Sequence, residues 1–344
     1  MYKDYALIIG INDYTPEEDS GLPKLDAAIS DAKDFEKWFL EESGFGHADR
    51  CKSVYSTSNP LTPIHHQIEG KLTELIDEAR KDPEQNRRLF FYFAGHGISL
   101  GVDTTNNALC LANWSERKRN DALSSKEYHD AFINFGLFRQ VIILLDCCRE
   151  IKVNVYPKRP DESPAAGSGT HQAEVFWGYA TRQNNLSYEI TTVDGERRGV
   201  FTYVLLNGLR GGAANEKGIV DSINLKRYLD RYVPQEANRK KYTQKPEINN
   251  GLAEPEAVFA KVEPAGLVPC AIRFNPQRTG PIELFDGLGQ VIQEIVDAGG
   301  KEVTFHLEKG LYILKDKSNN DVYPIDIESF RFPLKNPEPF PINF

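Results

Sequence analysis

The chain has 344 residues, of which 40% are hydrophobic and 26% charged, with a formal net charge of −9. That length predicts two domains with cores of ordinary size. The acidic balance argues against nucleic acid as the main partner, because phosphate binding needs a basic face. Cys51, Cys110, Cys147, Cys148 and Cys270 fit neither a disulfide framework nor a zinc pattern, so a reducing compartment is expected. No run approaches the ~18 apolar residues of a membrane span. Met1 leads almost directly into a strand, without the basic and apolar regions of a signal peptide, and the expected location is the cytoplasm.

Tyr5–Gly10 (YALIIG) predicts a buried strand. Leu25, Ile29, Ala32, Phe35, Trp38 and Phe39 recur at helical spacing over Leu25–Leu40. Residues 51–56 predict a short strand, and Thr62 with Pro63 predicts the N-cap and first turn of a helix to about Arg80. Leu89–Ala94 predicts a strand and Ala108–Ala112 a shorter one. Ser124 and Glu127 predict a capping box for a helix to about Phe135, followed by a strand over Val141–Asp146. This alternation predicts an α/β domain over residues 1–260, built on a mostly parallel sheet with helices on both faces. Residues 150–173 carry prolines, glycine and charges and predict an exposed, mobile linker. A strand over Val175–Ala180 and helices over 200–209 and 222–232 follow. From 266 to 344, short β-rich runs separated by turns predict a small all-β, sandwich-like domain. Its proline-rich end, residues 330–344, is expected to pack back as an extended tail.

Two of the apolar runs stop at reactive residues. One ends at Gly95-His96-Gly97 and the other at Asp146-Cys147-Cys148-Arg149. Runs without polar alternation read as strands buried on both faces, and ligands of open α/β sheets bind beyond the carboxyl ends of such strands. Alone, the histidine reads as a satisfied structural residue and each cysteine as inert packing. Together they form a thiol–imidazole pair, with the histidine about 50 residues before the cysteine, as in caspases.

With YALIIGINDY, LDAAISDAKDFEKWFLEESGF, FFYFAGHG, VIILLDCCR, GYATRQNNLSYE and GVFTYVLLNGLRGGA in this order, the chain resembles caspase-family cysteine peptidases of the prokaryotic, metacaspase-like type. The likeness covers roughly residues 4–250. It selects Cys148 as nucleophile, and strand alternation agrees that only one of the two cysteines can serve. Cys147 is then a packing residue. The resemblance implies that His96 acts as base and acid and that the backbone N–H groups of Gly97 and Cys148 hold the oxyanion. Glycine at 97 lets a substrate carbonyl approach the backbone. No third orienting side chain is evident.

Metacaspases place acids in the primary specificity pocket. Asp31 and Asp146 stand at those positions, which implies cleavage of protein substrates after Arg or Lys. Without the resemblance, Asp31 reads as a solvent-facing helix residue and Asp146 as a strand-end turn or cap. Ser187 and Glu189 border the cleft in relatives. Arg149-Glu150-Ile151 replaces the usual His-Ser-Gly, so the loop after Cys148 should differ in shape. Asn113 stands where many relatives carry an acid, which leaves calcium open. Glu17-Glu18-Asp19 reads as a solvated acidic loop, and no metal site is assigned. Lys152 and Lys158 are candidate self-cleavage sites, ahead of Arg159, which precedes Pro160.

The competing reading is an inactive caspase-like interaction module. A dinucleotide-binding reading fails, because INDYTPEED after the first strand lacks Gly-x-Gly-x-x-Gly. The C-terminal domain carries no catalytic constellation and is expected to dock a partner, recruit substrate or hold the protease inactive. Relatives often serve in bacterial stress or antiphage defence. The chain is expected to be a monomer.

Overall fold

A computed structural model describes residues 2–83, 86–101, 105–152, 154–162, 173–192, 195–215, 217–253, 257–262, 268–278, 280–286, 289–307, 310–327 and 340–343. The chain divides into two compact units: Met1–Leu209 with Val220–Lys261, and Arg210–Ile219 with Val262–Phe344.

In the first unit, β1 (Lys3–Gly10), α1 (Ala28–Lys37), β2 (Cys51–Tyr55), α2 (His65–Lys81) and β3 (Arg87–Ala94) begin the alternation. A flanking hairpin region follows, with β4 (Gly97–Ser99), β5 (Asn107–Cys110) and β6 (Ala122–Ser124). Then come α3 (Ser125–Asn134), β7 (Gln140–Asp146), β8 (Glu150–Ile151) and β9 (Glu174–Tyr179). The unit continues with β10 (Glu189–Thr191), β11 (Arg197–Gly199), α4 (Val200–Asn207), α5 (Ser222–Arg239) and β12 (Glu247–Asn250).

Six strands form the central sheet in the order β12-β9-β7-β3-β1-β2, all parallel except the β12 edge. Every residue of β3 and β7 is buried, which explains their unbroken apolar runs. On one face, Ile68, Leu72 and Ile76 of α2 and Phe132 of α3 pack on Leu7, Phe91 and Ile143. On the other, Phe35 of α1 stacks on Tyr92 at 4.5 Å and the Thr202 hydroxyl of α4 meets the Tyr92 hydroxyl at 2.6 Å. Gly10 pairs with Ala94, and Ala94 with Asp146, so β1, β3 and β7 end at one level.

Several boundaries differ from the sequence expectation. Helix α1 starts at Ala28 because the N–H of Ala27 is capped by the distant Glu189 carboxylate at 2.8 Å. Helix α2 starts at His65 rather than Pro63, with the Ile64 N–H donating to Gln67 Oε1 at 2.7 Å. Helix α5 runs on to Arg239 through Pro234. The strand expected at Ala108–Ala112 is β5, and it belongs to a separate flanking sheet, β8-β4-β5-β6. The first part of the 150–173 linker is not a free loop. Strand β8 pairs with β4, Val155 is buried, and Lys158 exchanges hydrogen bonds with Ala122 O at 2.7 Å and Ser124 N at 2.8 Å. Residues 153 and 163–172 of the expected linker lie outside the described residues.

In the second unit, β13 (Val268–Arg273), β14 (Ile282–Phe285), β15 (Val291–Ile295), β16 (Glu302–Leu307), β17 (Gly310–Asp316), β18 (Val322–Ile327) and β19 (Phe340–Asn343) form two sheets. Their orders are β16-β13-β19 and β15-β14-β17-β18. Cys270 and Ile272 of the first sheet share a core with Leu284, Leu314 and Ile325 of the second, as in a β-sandwich. Of the expected tail, Phe340–Asn343 forms β19, parallel to β13, and residues 330–339 and 344 lie outside the described residues.

Candidate active site at the carboxyl edge of the sheet

Beyond the ends of β1, β3 and β7 lies a cavity of about 310 Å³. Among its lining residues are His96, Gly97, Cys148, Asp31, Asp146 and Lys152. Five positions singled out for binding or catalysis, together with Lys152, thus meet in one cleft.

His96 is fixed through its backbone and its ring. Its N–H donates to the Tyr14 hydroxyl at 2.7 Å, its carbonyl accepts the Cys110 N–H at 2.9 Å, and the two rings lie 4.8 Å apart. A Cβ at Gly95 would come within 2.6 Å of the Tyr14 hydroxyl, so glycine is required there. Nε2 lies 2.7 Å from the Pro23 carbonyl oxygen, a pure acceptor, which assigns the proton to Nε2 and leaves Nδ1 as the basic nitrogen. Burial lowers the imidazole pKa, so the ring is neutral near pH 7. The orienting group absent from the side-chain pattern is this backbone carbonyl, which no residue type announces.

The Cys148 thiol is half-buried and accepts the Ser187 N–H at 3.3 Å. Burial pushes its pKa up to about 11, and the Ser187 backbone bond opposes that rise. Cys147 is 2% exposed, and burial holds its thiol well above the ordinary range. A Cβ at Gly97 would collide with the Cys147 side chain and lie 2.7 Å from the Cys148 carbonyl oxygen. The glycine at 97, ascribed from sequence to substrate approach, is thus demanded by packing against the cysteine pair.

Arg149 anchors the loop after the thiol. Its buried guanidinium bonds Glu247 Oε2 at 2.6 Å and lies 3.9 Å from the centre of the Tyr179 ring. Its N–H donates to Asn185 O at 3.0 Å and its carbonyl accepts the Asn184 N–H at 2.8 Å, tying the thiol loop to the segment that carries Ser187.

The cleft floor is acidic. Asp31 is 1% exposed, which excludes a solvent-facing role, and its Oδ2 accepts the Gly199 N–H at 2.7 Å. Asp146 Oδ1 accepts the Ser187 hydroxyl at 2.8 Å, while Oδ2 accepts the Thr202 N–H at 3.0 Å and hydroxyl at 2.7 Å. Asp146 therefore also caps α4, a role that its own strand end does not reveal. Burial raises both carboxyl pKa values, and for Asp31 the Asp146 charge adds to the rise. Glu189 lines the same cleft while capping α1. Gln244 supports the floor, donating to Ser187 Oγ at 3.3 Å and Ala180 O at 3.0 Å. Pro23, Tyr14, Gly199, Thr202 and Gln244 were not singled out from sequence. They act through backbone atoms or supporting bonds, for which no local motif exists.

The candidate self-cleavage residues are placed apart from one another. Lys152 lines the cleft, with Nζ 2.9 Å from Glu116 Oε1. Lys158 is bridged to β6, and Arg159 is exposed beside buried Pro160. Asn113 donates to Asp121 Oδ2 at 2.8 Å. Among the described residues, the one group with metal-ligand spacing is His65, Glu69 and Asp161, and none of these lines the cleft. Glu69 is already bonded by the Tyr128 hydroxyl and by the Asp161 N–H at 2.6 Å.

The family model of the caspase domain matches residues 3–255. A probable protease of a Desulfuromonadales bacterium is 27% identical over 232 residues, 61% of this chain and 26% of that protein, so the chain spans about a quarter of the relative's length. The crystal structure of caspase-1 from Spodoptera frugiperda shares 13% identity at a TM-score of 0.45, over 76% of this chain and 90% of that one. No described helix is long and apolar enough to cross a membrane. With a caspase-domain match over most of its length, the chain belongs to the caspase-domain peptidase family.

Proposed function

We propose that the chain is a cysteine endopeptidase that cleaves protein substrates after Arg or Lys, with Cys148 as nucleophile and His96 as general base and acid. The observation that carries this reading is a single cleft holding a thiol, an oriented neutral imidazole and two buried carboxylates. At rest both reacting groups are neutral. The thiol proton passes to His96 Nδ1 as sulfur attacks the scissile carbonyl. The Gly97 and Cys148 N–H groups hold the developing oxyanion. The imidazolium then protonates the leaving amine, and water hydrolyses the thioester. Pro23 O keeps the ring oriented throughout, a job that triads give to a carboxylate.

Asp31 and Asp146 select the substrate cation by charge. Self-processing after Lys152 or Lys158 belongs to the proposal, and it requires the linker to leave its hydrogen bonds to the flanking sheet. Activation by an upstream signal, docking of a partner on the C-terminal unit and a role in bacterial stress or antiphage defence rest on the family resemblance alone. Fluorogenic peptides ending in Arg, Lys or Asp, assayed with calcium and with chelator, test the reading. Turnover of the basic peptides is expected, lost in Cys148→Ala and kept in Cys147→Ala. Preference for Asp peptides would overturn the pocket assignment. Full activity of Cys148→Ala would overturn the nucleophile, and no turnover by the wild type would favour the interaction module.

A further inference from the structure

The acid at the cleft floor has a cation behind it. Arg198 Nη1 lies 3.6 Å from Asp31 Oδ1, the oxygen of that buried carboxylate that receives no hydrogen bond among the described residues. Arg198 is not among the described residues that line the cleft. It is anchored from outside, by Glu196 Oε2 at 2.8 Å, Asp34 Oδ2 at 3.4 Å and Ser30 O at 3.1 Å. It shares strand β11 with Gly199, whose N–H holds the other oxygen of Asp31.

We propose that Arg198 is a positioning residue for substrate selection: a built-in counter-ion that keeps Asp31 charged, so that the floor presents a full carboxylate to an incoming substrate cation. This rests on the basic-substrate reading above. Burial and the charges of Asp146, from the end of β7, and Glu189, from β10, work against the charge of Asp31, while the Gly199 N–H bond favours it. The Tyr92 hydroxyl of β3 feels the Asp31 charge, and Asp34 of α1 shares Arg198 with it. Arg198 is the cation that opposes Asp146, Glu189 and the burial of the site. Because it stands behind the acid, it supplies this charge without occupying the cleft, and its other partners hold it when a substrate arrives.

The test compares wild type, Arg198→Met and Arg198→Lys on Arg and Lys peptides across pH 6 to 9, with thermal melting of each variant. In Arg198→Met the KM for the Arg peptide is expected to rise about tenfold near neutral pH, because without its counter-ion the buried Asp31 carboxyl is mostly protonated there. The penalty should shrink as pH climbs and Asp31 ionises, and it should fall on KM rather than kcat. Lysine at 198 should restore most of the affinity. Equal KM profiles for wild type and Arg198→Met would overturn the proposal. So would a lower KM in Arg198→Met, the mark of a blocking residue, or a loss that neither pH nor lysine relieves. A wild type that ignores basic peptides would remove the basic-substrate reading itself, seen in the wild-type arm alone, and the proposal with it.

Discussion

Gly199→Ala probes the cleft floor most directly. Gly199 has φ −66° and ψ 134°, extended geometry that alanine adopts freely, so the substitution adds no backbone strain. The new methyl would sit 2.8 Å from Asp31 Oδ2 and closer still to Asp146 Oδ2. Both carboxylates would have to move, yet Asp146 is held by Ser187 and by two donors of Thr202, and Asp31 by the Gly199 N–H. Forcing a methyl into a packed site costs about 1–3 kcal/mol, and a strained hydrogen bond to a charged group adds about 1.5–3 kcal/mol. With part of that cost lost from substrate binding, kcat/KM for Arg peptides should fall about 100-fold, equivalent to ~2.7 kcal/mol. The atoms nearest the new methyl belong to Asp146 and Asp31 rather than to Cys148 or His96, so alkylation of Cys148 by iodoacetamide, which needs no floor contact, should change only through the Ser187 link, within about threefold. Peptide kinetics and alkylation rates on the same preparations read both quantities. An Arg-peptide kcat/KM near that of wild type would show that the substrate side chain does not reach this floor. Equal losses in peptide cleavage and alkylation would show that the methyl disturbs the thiol instead.

Other consequences are open to measurement. Because burial lowers the His96 pKa, the basic form persists below the ordinary histidine range, and the acid limb of kcat/KM should lie below pH 6.5. A limb near the thiol value of about 11 would mean that ionisation of Cys148, unaided by His96, limits the reaction. Self-cleavage after Lys152 or Lys158 should be slow and should accelerate in mild denaturant that frees the linker but leaves peptide cleavage intact. Intact mass of wild type and Cys148→Ala reads it, and an unchanged wild-type mass during active peptide turnover rejects it. In the core, Arg88 and Asp4 form a buried pair at 2.6 Å, with Arg88 also donating to Val258 O at 2.6 Å. Arg88→Ala should cost about 3–5 kcal/mol in chemical denaturation by stranding the carboxyl, and adding Asp4→Asn should recover part of it. A loss below about 1 kcal/mol would show that the pair contributes little.

The strands that carry the chemistry are legible in sequence because the sheet buries them on both faces. LFFYF and VIILL have no polar alternation, and each stops where the backbone leaves the sheet. The residues at those stops are therefore readable, and their meeting in one cleft follows from parallel register. Helix starts were less legible where the cap comes from elsewhere. Glu189 caps α1 from more than 150 residues away, and Asp146 caps α4, so no local motif marks either start. The described part of the linker departs from the expectation for a related reason. Its prolines and charges look unstructured, but Lys158 docks on β6 through backbone bonds that composition does not encode.

The segment from Asn184 to Thr202 joins parts that the sequence presents as separate. Its Asn184 and Asn185 backbone groups bind Arg149, next to the thiol. The Ser187 N–H reaches the Cys148 sulfur and the Ser187 hydroxyl reaches Asp146. Glu189 caps the helix that carries Asp31, and Gly199 bonds Asp31 itself. The thiol is thus stabilised, and the floor shaped, by backbone and side-chain donors of one stretch. A shift of this stretch would move the thiol's hydrogen-bond donor and the floor acids together. Chemistry and selection at this cleft are therefore coupled through Ser187, which touches the sulfur with its backbone and the selecting acid with its side chain.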